Sequence, residues 1–120
     1  LFEAPIDALS YATLCKMKGI NWRQQNLLSL AGVYRPSQKG LPRLPLALEQ
    51  FLKYHPGVNR VCLHLDNDFP GKQAAQAILS ALPENVHGEN RPPPFGKDVN
   101  DTLCHRLGLA RQQAVKGWER

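Results

Sequence analysis

The three cysteines of this 120-residue chain form no pattern: Cys15, Cys62 and Cys104 are odd in number, lie far apart and include no C-x-x-C pair. Such spacing indicates neither a disulfide framework nor a zinc knuckle, and a reducing compartment suits it best. No charged leader runs into an apolar core with a small-residue cleavage site, and no apolar run approaches membrane-spanning length. Internal repeats and low-complexity runs are lacking as well. The expectation is a soluble, cytoplasmic protein with no membrane partner.

What is present suits one compact domain spanning residues 1–120, with 42% hydrophobic residues to build a core. Fifteen Lys plus Arg against ten Asp plus Glu give a formal charge of +5, which favours a polyanionic partner such as nucleic acid without identifying one. The first residues, "LFEAP", read as an element entered part-way, so a domain excised from a longer protein is expected.

Roughly helical spacing of the apolar residues Ile6, Leu9, Ala12 or Thr13, and Cys15 or Met17 predicts a first helix from Pro5 to Met17, with Gly19 suited to its stop. "LLSLAGV" at 27–33 reads as a short buried strand, and "YRPSQKGLPRLP" as an irregular basic loop. A second helix is expected over Leu46–Tyr54 and a two-sided apolar strand from Val58 to Asp66. "PGKQAAQAILSALP" is the strongest helical segment, "ENRPPPFGK" reads as another irregular loop, and "DVNDTLCHRLG" opens a last helix. Helices alternating with short buried strands imply an α/β domain whose ligands bind at the carboxyl ends of the strands.

At one such end stands "LHLDNDFPGK", residues 63–72. If the strand persists to residue 68, Asp66 and Asp68 leave it on the same side and repel, unless one takes up a proton or a cation lies beside them. An oxygen-only ligand set suits Mg²⁺ or Mn²⁺. Equally, Asp68 suits a helix cap and Asp66 a solvated surface. Glu3 also follows an apolar pair and precedes a helix, so it should stand at a neighbouring strand end. Asp7, four residues on, suits the dipole of that helix, where it would stabilise the first turn or orient ligands from behind.

"EAPIDALS" at 3–10, "SLAGV" at 29–33, "LHLDNDFPGKQAA" at 63–75 and "FGKDVNDTL" at 95–103 together resemble, in order and spacing, the TOPRIM domain. That domain is shared by bacterial-type primases, type IA and type II topoisomerases and certain nucleases. The "DND…GK" and "GKDVND" stretches look most like primase-type members, especially compact TOPRIM domains in larger proteins of plasmids and other mobile elements. Glu3-Ala4 departs from the family's common Glu-Gly, which puts close approach of substrate there in question. The resemblance implies a Rossmann-like fold, with a mostly parallel sheet of about four strands flanked by helices on both faces.

It further implies that Asp66 and Asp68 are metal-binding carboxylates, with Glu3 a further ligand or the general acid/base. Asp98 would complete a second metal position or simply cap a helix, with Asp101 in a capping-box-like place behind it. Lys72 and Lys97 are candidate phosphate contacts, and Arg35, Lys39 and Arg43 a basic loop for a nucleic-acid backbone; ordinary surface roles fit all five as well. His64 reads as a satisfied core side chain. Trp22 and Trp118 could stack bases, although packing is the commoner role. The function implied is Mg²⁺-dependent chemistry on nucleic-acid phosphodiesters, foremost primase-like nucleotidyl transfer on single-stranded DNA, with nucleotides and further domains of a longer chain as partners. Nuclease or topoisomerase-type cleavage and a noncatalytic DNA-binding module stay open beside it.

Overall fold

Four short segments pair side by side, and their order decides where the functional groups meet. The computed structural model of the chain describes residues 1–30, 34–36, 40–41 and 43–109. Its helices are α1 (Pro5–Met17), α2 (Leu46–Tyr54), α3 (Phe69–Ala81) and α4 (Val99–Arg106), with a 3-10 turn at Trp22–Gln24. Two strands, β1 (Arg60–Leu63) and β2 (His87–Asn90), pair in parallel.

The sheet continues beyond them. The Leu1 nitrogen donates to Cys62 O and His64 N to Leu1 O, which is the parallel pattern, so residues 1–2 lie beside β1. On the other side, Phe2 N donates to Leu28 O and Leu30 N to Phe2 O, around a parallel bridge between Phe2 and Ser29. The spatial order is therefore 28–30, 1–2, β1, β2. The expected strand over 27–33 is present as this short pairing, while residues 31–33 lie outside the described residues.

Alternation along the strands sends side chains to two faces. Leu1, Val61, Leu63 and Leu65 meet Leu48 of α2 and Ala74, Ala75 and Ile78 of α3 in one buried cluster. Phe2 and His64 point the other way, where their rings stack 5.2 Å apart and Tyr11 of α1 lies 4.7 Å from His64. There α1 packs against α4. Burial pushes the His64 imidazole down to about 4, so this ring is a neutral core group, as its place in the sequence suggested. The architecture is an α/β sandwich with helices on both faces.

Two segments differ from expectation. Within the expected loop "ENRPPPFGK", Glu89 and Asn90 belong to β2, because β1 supplies the pairing that the polar sequence HGEN does not advertise. The inward face of α1 also differs: Asp7, Ser10 and Cys15 are buried, whereas Ile6 and Leu9 are 53% and 65% exposed. The reason is polar. The Asp7 carboxylate accepts the Asn100 N–H at 3.1 Å, and the Ser10 hydroxyl lies 3.0 Å from Asn100 Oδ1, so the first turn of α4 turns this face of α1 inward.

That arrangement makes a direct test. Leu9→Gln is expected to leave the unfolding free energy within about 0.5 kcal/mol of wild type. Ser10→Leu, which overfills a closed site and strands Asn100, is expected to cost about 2 kcal/mol or more in melts followed by circular dichroism. Reversed sensitivities would show that the apolar stripe, not the polar one, faces the core.

Candidate metal centre at the carboxyl edge

From residues 1–2 the chain passes through α1 to the segment 28–30 on one side, and from there through α2 to β1 on the other. The carboxyl ends of residues 1–2 and of β1 thus flank the point where strand order reverses, which is where α/β sheets open a crevice. Glu3 and Asp66 stand at those two ends.

Their contact is direct: Glu3 Oε2 accepts the Asp66 N–H at 3.1 Å, and Glu3 is only 7% exposed. Residue 4, between Glu3 and α1, has φ −129° and ψ 152°. This is extended backbone open to any residue, so alanine stands there without strain.

Asp68 does not leave a strand beside Asp66. β1 ends at Leu63, and Asp68 is the cap of α3, its Oδ1 accepting the Gly71 N–H at 2.8 Å. Glycine is required at 71, since a Cβ there would lie 2.0 Å from the Asp66 carbonyl oxygen. The start of α3 is thereby pressed onto the backbone that carries Asp66.

The segment before α4 arrives from the opposite side. Asn67 N donates to Lys97 O at 2.6 Å, which joins the turn after β1 to this segment. Asp98 caps α4 by accepting the Asp101 N–H at 2.7 Å, and Asp101 Oδ2 accepts the Lys97 N–H at 2.8 Å. Gly96 has φ +75°, and a Cβ on it would strike the Asp101 side chain at 2.3 Å. "FGKDVND" is therefore a folded cap in which Gly96, Asp98 and Asp101 fix where Lys97 lies.

The carboxylates converge as a result. One oxygen from each of Asp7, Asp66 and Asp98 lies within 4.8 Å of the others. That is close to the roughly 4 Å that separates opposite ligands of an Mg²⁺ ion. Asp66 is pushed up to about 6, first by burial and then by the charges of Glu3, Asp7, Asp98 and Asp68. Burial likewise raises Glu3, partly offset by its bond from the Asp66 N–H. The Lys97 ammonium stands 3.7 Å from Asp68 Oδ2 and 3.9 Å from Asp66 Oδ2, but it is well exposed and a loose counterion. A hard, all-oxygen donor set of this kind fits a divalent cation such as Mg²⁺.

The remaining candidates distribute unevenly. Lys72, in the first turn of α3, lines a cleft of about 410 Å³ that also includes Asp66. Arg43 lines a different hollow, with Val58 and Val86 at the amino ends of β1 and β2, so it faces the far edge of the sheet. Arg35 is exposed beside Tyr34, whose hydroxyl donates to the Arg43 carbonyl. Lys39 and Trp118 lie outside the described residues. Asn100 and Ser10 are supporting residues that sequence reasoning passed over. An asparagine inside a helix's first turn is a weak helix former, which was the available sign that its side chain has another task.

Three outcomes are expected. In the metal-free protein, Asp66→Asn relieves repulsion and raises the thermal midpoint by roughly 1 kcal/mol, about 4 °C, while abolishing the upward shift caused by Mg²⁺. Because the fold favours the neutral form of Asp66, the metal-free wild type gains stability as pH falls through about 6, and Asp66→Asn flattens that dependence. Gly71→Ala drives a Cβ into the Asp66 backbone and is expected to cost about 2–3 kcal/mol in denaturant unfolding.

No curated protein and no solved structure matches the chain. The model of one family, described as Toprim-like, matches residues 1–103, which takes in Asp7, Asp66 and Asp98 together with Glu3 and Asp68. The chain belongs to the Toprim-like family, whose domains bind divalent metal through acidic residues and act on nucleic acids.

Proposed function

We propose that this domain performs Mg²⁺-dependent phosphoryl chemistry on nucleic acid, foremost primase-like nucleotidyl transfer that makes short primers on single-stranded DNA. The observation that carries the reading is the meeting of Asp7, Asp66 and Asp98 beside Glu3 and Asp68, at the crevice where the strand order reverses. In this reading Asp66, with Asp7 and Asp98, holds the ion, and Asp68 holds either the same ion or a second one. A bound Mg²⁺ supplies stabilisation of charge on the phosphoryl oxygens and activation of the attacking or leaving oxygen.

The chain's own groups do the rest. Glu3, whose pKa burial raises from its ordinary value, stands at the strand end in position to take or return a proton. Its acceptance of the Asp66 N–H keeps it at the strand end next to the phosphate position. Lys97 and Lys72 stand on the two segments that flank Asp66 and would bind phosphate oxygens as they approach. Asn100 holds the Asp7 backbone-facing oxygen and, through Ser10, keeps α1 and α4 in register. The protein is expected to act with further domains of a longer chain that hold template and nucleotides.

The test incubates the protein, together with any neighbouring domains of its chain, with single-stranded DNA, nucleoside triphosphates and Mg²⁺. Incorporation of labelled nucleotide into new oligonucleotides supports nucleotidyl transfer; shortening of an end-labelled DNA strand supports cleavage at the same site by a nuclease or topoisomerase-type reaction. Asp66→Asn is expected to reduce either activity at least 100-fold while the fold is retained. DNA binding that ignores both chelator and this substitution would instead indicate a noncatalytic binding module.

A further inference from the structure

We propose that the cleft between α1, α4 and the prolines 92–94 holds one unpaired base of the nucleic-acid strand whose phosphodiester lies at the carboxylates. The inference rests on the nucleic-acid reading above and adds a base subsite to it. The cleft has a volume of about 320 Å³, within the range of small-molecule sites. Tyr11, Leu14 and His64 line it, and so do Lys18, Arg91 and Arg106, with no carboxylate among its lining residues.

Its position follows from helix geometry. Tyr11 lies four residues beyond Asp7 on α1, and Thr102 four beyond Asp98 on α4, and both line the cleft. Residues four apart share a helix face and are separated by about 6 Å along the axis. On both helices, then, the cleft is the next turn after the carboxylates. A phosphate at the carboxylates would present its attached nucleoside to this opening.

The chemistry of the walls suits a base. The half-buried Tyr11 ring offers aromatic surface and is fixed: its hydroxyl donates to Gln25 Oε1 at 3.2 Å, and behind it His64, stacked on Phe2, is held with Nδ1 3.1 Å from Arg91 O. Stacking of this kind accepts any base, because every base has a π-face. Arg91 is engaged by Glu89 at 2.7 Å, which leaves Lys18 and Arg106 as the rim charges that would meet the strand's next phosphates.

The experiment compares a short fluorescein-labelled oligodeoxythymidylate with a strand of the same length made of abasic deoxyribose phosphates, by anisotropy in Mg²⁺. Wild type is expected to bind the thymidylate about ten-fold more tightly. Leu14→Trp, which fills the cleft and touches none of the carboxylates, should bring thymidylate binding down to the abasic level and leave abasic binding unchanged. Retention of the base preference in folded Leu14→Trp would overturn the subsite. An independent variant covers a folding defect: Arg106→Glu on the rim should weaken binding at least five-fold more than Lys53→Glu at the far edge of the sheet, and equal losses would overturn the proposal. If the subsite fails while Asp66→Asn still abolishes Mg²⁺-dependent binding, the nucleic-acid reading survives alone. No binding of either strand by folded wild type overturns both.

Discussion

Residues 1–2 are hydrogen-bonded on both sides, to the segment 28–30 and to β1, and the functional edge depends on that pairing. Phe2 is fully buried and Leu1 belongs to the opposite face's core cluster, so this short segment is central to the sheet. Its central place creates the reversal in strand order. It also puts Glu3 one residue beyond the pairing, close enough to receive the Asp66 N–H.

Around that contact, backbone and carboxylates constrain one another. Asp68 caps α3, Gly71 lets α3 sit on the Asp66 carbonyl, and Asn67 binds the segment that carries Lys97 and Asp98. Glu3, Asp7, Asp68 and Asp98 thus each accept a backbone N–H and carry a charge that Asp66 resists. The resistance is visible in Asp66, which burial and four neighbouring carboxylates push to about 6. Gathered acids of this kind are relieved either by a proton on Asp66 or by a cation between them.

Much of this was legible beforehand. The bounds of α1 and α2 follow from spacing, proline and glycine, and Asp68 and Asp98 cap α3 and α4, one of the two roles the sequence left open for each. β2 was not legible: HGEN has no apolar alternation, and its strand character comes from β1 alongside it. Nor was the rotation of α1, since Ile6 and Leu9 make the more apolar stripe while Asp7 and Ser10 make the buried one. Hydrophobic periodicity reads burial as apolar contact, and here burial is partly a matter of hydrogen bonds to Asn100. Arg43 shows the same limit from the other direction: a basic residue in a loop carries charge wherever it goes, and this one goes to the far edge.

By itself, the sequence determined that the domain is α/β, that acids stand where strands end, and that "GKDVND" begins a helix, because these are properties of short segments and their local propensities. Only the tertiary structure decided which acids share one ion's space. Asp7, Asp66 and Asp98 are separated by most of the chain and meet because strand order and the packing of α1 on α4 bring three helix and strand ends to one point. Distances between such ends are set by pairing partners, and no residue's neighbours in sequence encode them.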